Sequence, residues 1–173
     1  MVLENYLKTL DYPLSQRTLC YLLQQDRVLL GRKKKGFGFN YYLGFGGKVE
    51  KGESILDAAI REVYEESCLI LSPSSVHKVA VLNFYFPYLE EKQQPFWNQQ
   101  VHVYLGKVWK GEPQETVEMI PNWFSLNKIP YENMWDDAKY WLKDVLTGEN
   151  LIGNFLFTKD LKVEEHRIIK GKI

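Results

Sequence analysis

The chain has 173 residues, 22 Lys+Arg balanced by 22 Asp+Glu, 45% hydrophobic and 14% aromatic residues. That length suits one domain, read as residues 18–173 behind an N-terminal extension of residues 1–17, and buries a core without disulfide or metal staples. Zero net charge argues against a nucleic-acid polymer or an anionic membrane as partner. Cys20 and Cys68 are too few for a disulfide framework, and no apolar run approaches bilayer length. A cytoplasmic monomer is the expected form.

In chain order, Thr18 to Leu23 and Arg27 to Leu30 are short apolar runs around the polar Gln24-Gln25-Asp26, the pattern of a hairpin. Gly36 to Gly52 holds six glycines, too many for a helix. Ser54 followed by Asp57 is a helix-start pattern, and the apolar spacing after it predicts a helix to Ser67. Val76–Phe86 and Gln100–Val108 read as strands joined by a polar loop, Pro121–Ile129 as a short strand and turn. A second helix is expected over Asp136–Leu146, stopped by Gly148. Strands interleaved with two helices imply a layered α/β domain.

The chemistry concentrates on the first helix. Glu62, Glu65 and Glu66 stand three and four apart and share one face, a cluster that repels itself unless a cation neutralises it. Carboxylate oxygens suit Mg²⁺ or Mn²⁺, although by itself the cluster reads equally as a solvated acidic face. The glycines form no other nucleotide motif: Gly47-Lys48 lacks the remainder of a phosphate-binding P-loop. His77, His102 and His166 make no zinc pair.

Context decides between these readings. Gly47, Glu53, Arg61-Glu62-Val63, Glu65-Glu66 and Leu69 fall at the spacing of the Nudix box, and the chain resembles that family. One position departs: Cys68 stands where the family has the glycine that closes the helix, which suggests a strained or differently closed turn. The segments Arg27 to Lys51 and Met119 to Trp141, with His77-Lys78-Val79 and the Phe84, Phe86 pair, are similar to the branch that hydrolyses oxidised purine nucleoside triphosphates. The resemblance implies a Nudix α/β/α sandwich with a mixed sheet between helices, and hydrolysis to monophosphate and pyrophosphate. It puts the Gly46 carbonyl, Glu62, Glu65, Glu66 and Glu118 around Mg²⁺. Glu65, Glu66 or Glu118 would be the general base, Glu65 first, with Glu53 and Arg61 paired to brace the glycine-rich loop.

For the substrate, the resemblance favours Lys33 facing the phosphates, with Gly46 and Gly47 lining the approach. Phe37, Tyr42, Phe84, Phe86 and Trp135 match aromatic wall positions. Base-edge positions differ. The family has an asparagine where this chain has Leu43, and consecutive aspartates where it has Asp137 and Ala138; Asp136 keeps an Asp-Asp pair shifted by one, about 100° around a helix. Loss of polar partners predicts an altered or relaxed purine preference. Leu43 and the added Glu90–Gln99 loop also leave open a dinucleotide or nucleotide-sugar substrate, and a non-catalytic nucleotide-binding module is the remaining alternative.

Overall fold

The computed structural model describes residues 2–171 and 173. Eight strands form one sheet: β1 (Ser15–Gln24), β2 (Arg27–Lys33), β3 (Tyr42–Leu43), β4 (Val76–Tyr85), β5 (Gln99–Gly106), β6 (Met119–Ser125), β7 (Leu151–Phe157) and β8 (Val163–Lys170). The order is β3-β2-β1-β5-β4-β7-β8, with β6 on β2; β1–β5 and β4–β7 are parallel and the other pairs antiparallel. The helices are α1 (Leu3–Leu7), α2 (Ile55–Ser67), α3 (Gln94–Trp97) and α4 (Ala138–Leu146).

Side-chain alternation divides the sheet into two dry faces. From β1, Tyr21 and Leu23 join Val28, Leu30, Val103, Trp141, Leu142 and Val145 on the α4 side. Cys20 and Leu22 join Leu29, Tyr104, Ala59 and Val63 on the α2 side. The sheet thus lies between α2 and α4, the expected sandwich.

β6 runs along one edge of β2 from residue 27 to 33, so β1 and β3 share the other. The two hairpin strands pair only over Leu22–Gln24 and Arg27–Leu29, and then part. The glycine-rich segment lies along β1 instead, through bridges Cys20–Phe45 and Arg17–Lys48. Glycine is needed at this approach. A Cβ on Gly46 would collide with the Thr18 carbonyl, and one on Gly47 with the Glu62 carboxylate.

Ser54 caps α2: its Oγ accepts from the Asp57 N–H at 3.1 Å and donates to the Asp57 carboxylate at 2.7 Å. Cys68 closes the helix in the left-handed conformation, φ 62°, with its N–H on the Tyr64 carbonyl. The turn therefore closes as a glycine cap would, and the departure in sequence survives only as a side chain in a region that disfavours one.

The extension is ordered against the domain. Leu3 and Tyr6 of α1 bury against Tyr85 and Leu156. Asn98, fully buried, donates to the Tyr6 hydroxyl at 2.8 Å and the Tyr12 hydroxyl at 2.6 Å, and accepts from the Phe86 N–H at 2.9 Å. Tyr6 and Tyr12 of the extension and Asn98 of the added loop, the two parts unmatched by the resemblance, are thereby tied into one network. Neither α1, α3 nor the β7–β8 hairpin was evident from sequence patterning.

Candidate active site

Two chemically opposite regions meet at Gly46–Gly47. On the α2 side, Arg61 anchors a carboxylate cluster. Its Nε and Nη2 donate to Glu53 at 3.1 and 2.8 Å, its Nη1 to Glu62 and Glu65 at 3.0 Å each, and Nη2 also to the Lys48 carbonyl at 3.2 Å. Arg61 and Glu53 thus pair, and the guanidinium ties α2 to the glycine-rich segment. The fork-to-fork contact holds Glu53 below the usual carboxylate range.

Glu66 points the other way, accepting from the Gly46 N–H at 2.9 Å with only 5% of its surface exposed. Burial first, then the charges of Glu62 and Glu118, push its carboxyl up to about 8, against the pull of Gly46 and Lys33. Glu62 is also raised, again by burial, with Arg61 opposing. Lys33 therefore faces the acidic end and does not line the aromatic cavity. Its neighbours in the basic run are occupied: Lys34 pairs with Glu115 at 2.6 Å and Lys35 with Glu118 at 3.1 Å.

Among the described residues, no three carboxylate, histidine or cysteine side chains converge as a ready metal shell. Glu65 leans on Arg61 and Glu118 on Lys35. The donor chemistry nonetheless fits a hard divalent ion. All donors are oxygens, and Glu62, Glu65 and Glu66 lie on one stretch of α2 with Glu66 reaching the Gly46 N–H, a set of hard donors gathered beside the glycine-rich segment.

On the α4 side, β1 and α4 enclose a cavity of about 200 Å³ lined by Phe37, Tyr42, Leu43, Gly46, Gly47, Phe84, Phe86, Trp135, Asp137 and Ala138, among others. The expected aromatic walls thus share one cavity. It is smaller than the ~300–1,000 Å³ of sites enclosing a drug-sized ligand, a size for a base without its phosphates. Trp135 faces Phe37 with ring centroids 4.7 Å apart and Tyr41 at 5.1 Å; Phe37 also touches Trp97 of the added loop at 4.8 Å. Phe37 is 48% exposed at the mouth, whereas Phe84 and Phe86 are buried at the floor.

The aspartates separate. Asp137 is buried in the cavity wall and accepts from Trp141 Nε1 at 2.8 Å; burial pushes its carboxyl up to about 6. Asp136 turns to the start of β8, accepting from Lys139 at 2.8 Å, Lys162 at 3.3 Å and the Val163 N–H at 3.0 Å. Ala138 and Leu43 present no polar atom from their side chains.

Several cavity residues escaped sequence reading, and two of them, Arg17 and Gln99, bring long polar side chains. Arg17 and Gln99 stand on the paired strands β1 and β5, whose register sets Ser15 against Gln99 and Arg17 against Val101. Burial lowers the affinity of Arg17 for its proton, Glu62 opposes this, and Arg17 Nε is buried with no hydrogen-bond partner. The sequence signal is the alternation of Arg17, Leu19 and Tyr21 along β1, which begins at Ser15, ahead of the apolar run from Thr18.

Residues 13–145 match the NUDIX domain family. The chain is 42% identical over 140 residues to the oxidized purine nucleoside triphosphate hydrolase of Mus musculus, covering 81% of this chain and 85% of that protein. It is 39% identical over 151 residues to the Danio rerio protein of the same name, covering 87% and 92%. A mutator MutT protein from Bacillus halodurans has the same fold, with TM-score 0.73 at 22% identity over 90% of this chain and 97% of that one. No helix of the described residues is long and apolar enough to cross a membrane. With the box residues gathered around one glycine-rich segment, the chain belongs to the Nudix hydrolase family.

Proposed function

We propose that this protein hydrolyses oxidised purine nucleoside triphosphates to monophosphate and pyrophosphate, clearing damaged nucleotides from the pool as a cytoplasmic monomer. The observation that carries the reading is a base-sized aromatic cavity opening at Gly46–Gly47 onto the carboxylate face of α2. The names of the two vertebrate relatives support the oxidised purine, and the absence of surplus charge supports a free nucleotide over a polymer.

Nudix hydrolases use divalent metal ions, and we assign Mg²⁺, with Mn²⁺ able to replace it. Glu62, Glu65, Glu66, Glu118 and the Gly46 carbonyl would hold it. Bound there, such an ion polarises phosphoryl oxygens and acidifies a coordinated water. The protein's own groups do the rest. Trp135 and Phe37, packed on each other at the mouth, offer the base a stacking face, while Phe84, Phe86 and Tyr42 wall it from water. Asp137, buried in the cavity wall with one carboxylate oxygen on Trp141 Nε1, closes that side of the pocket. Lys33 draws the phosphates toward α2. Glu65, half-exposed beside Arg61 while Glu66 is turned inward, takes the proton of the attacking water. Arg61 and Glu53 keep that carboxylate face aligned with the glycine-rich segment.

The test is pyrophosphate release with Mg²⁺ from 8-oxo-dGTP, 2-oxo-dATP and the ordinary triphosphates, with Glu65→Gln alongside. Turnover of an oxidised purine triphosphate, at least about a hundredfold slower in the variant, is expected. Silence on every triphosphate overturns the reading.

A further inference from the structure

The cavity is poor in polar groups on one wall and rich on the other. Leu43 and Ala138 offer the substrate nothing to hydrogen-bond, and the Asp137 carboxylate is already shared with Trp141. Across from them, Arg17 is the one cationic lining side chain. It makes no ion pair or side-chain hydrogen bond with any described residue. Gln99 likewise spends no side-chain amide group on the protein. Register places both on the cavity face of adjacent strands, Gln99 diagonal to Arg17, within reach of long side chains.

Arg17 Nε is buried with no partner among the described residues, and a buried unpaired donor is costly unless a ligand meets it. Guanidinium only donates. It therefore welcomes a ring carbonyl and rejects an exocyclic amino group, the property that lets arginine read guanine by its acceptor edge. Building on the functional reading above, we propose that Arg17, assisted by Gln99, reads a carbonyl on the purine edge and so selects oxopurines against adenine. Edge recognition has moved to the β1–β5 wall, and Arg17 is a specificity-determining residue.

The experiment measures kcat/KM for 8-oxo-dGTP, dGTP, dITP and dATP with the full chain, Arg17→Met, Arg17→Lys and Gln99→Leu. Binding of dGMP and dAMP is followed in parallel through tryptophan fluorescence. Arg17→Met is expected to lose roughly ten- to a hundredfold on the three carbonyl-bearing purines and less than about threefold on dATP. The dGMP-over-dAMP binding ratio should collapse in step. Gln99→Leu should shift both ratios the same way by a smaller factor, which keeps the proposal testable should Arg17→Met not fold. An equal loss on all four substrates, restored equally by Arg17→Lys, would mean that Arg17 holds phosphate charge, and the proposal fails. Unchanged ratios in both the Arg17 and Gln99 variants also overturn it. A wild-type chain inactive on all four triphosphates removes the functional reading itself; turnover with unaltered selectivity removes only the role of Arg17.

Discussion

The two ends of the site are built on opposite principles. At the α2 end, charge is dense and partly wet: Arg61 bridges Glu53, Glu62 and Glu65, and Glu65 is 53% exposed. At the α4 end, rings and aliphatic side chains enclose a small cavity with one buried carboxylate and one unmet guanidinium. The Arg61–Glu65 pair can exchange at little cost, since exposed pairs are each worth only ~0–1 kcal/mol, whereas Glu53 and Glu62 are held on Arg61 in less exposed pairs. The second end holds a buried carboxylate fixed on Trp141 and a guanidinium whose buried Nε has no partner among the described residues, so its polar groups are less free to exchange. On the function proposed above, chemistry would sit at the charged end and selection at the apolar one.

The largest effect should come from the acidic end. Glu66→Gln keeps an acceptor for the Gly46 N–H but removes a carboxylate, and turnover should fall by at least about a hundredfold with the base cavity intact. Monophosphate binding without metal checks that division: if it falls as far as turnover, the two ends are not separable. Trp135→Ala should do the converse. Loss of one base-stacking ring is worth ~1–3 kcal/mol, so KM should rise roughly five- to a hundredfold while kcat changes little. A kcat effect as large as the KM effect would break the comparison.

Asp137 sharpens it through pH. Its carboxyl is raised from 3.8 to about 6, so the folded state binds the proton more tightly than the unfolded chain. Its contribution is full below about pH 4 and is lost as pH rises through about 6. Asp137→Asn should remove that slope and gain on the order of 2–3 kcal/mol at neutral pH, read by urea unfolding at pH 4 and pH 7. Equal pH dependence in both proteins would show that Asp137 is not the buried titrating group. The smallest effect belongs to a site remote from substrate. Cys68→Gly relieves a left-handed side chain and should stabilise the fold by about 1 kcal/mol without altering kcat/KM.

Much of this was legible in sequence where one element carries the signal. Glu62, Glu65 and Glu66 share a face because helical spacing says so, and Ser54 begins that helix because its hydroxyl can cap it. The aromatic wall positions also fell together, although they come from separate elements, because the resemblance supplied the pairing that local patterning lacks. What stayed hidden depends on strand register and on order imposed from a distance. Arg17 gains its meaning from pairing with β5, and Asn98 from the two tyrosine hydroxyls it joins across more than eighty residues. The β7–β8 hairpin, with Phe157 on the cavity wall, carries no cue stronger than its alternation. The separation of Asp136 from Asp137 required the position of β8, which takes the first and leaves the second to the cavity.

The alternation of β1 has an evolutionary consequence. Odd-numbered positions, Arg17, Leu19 and Tyr21, face the base cavity, while Cys20 and Leu22 support the packing under α2. On the function proposed above, Arg17 and Leu19 are the β1 positions to vary for new substrates, since Tyr21 is a fully buried core side chain. Insertion of a single codon in this strand would exchange the two faces and present the cavity with the residues that now seat the helix.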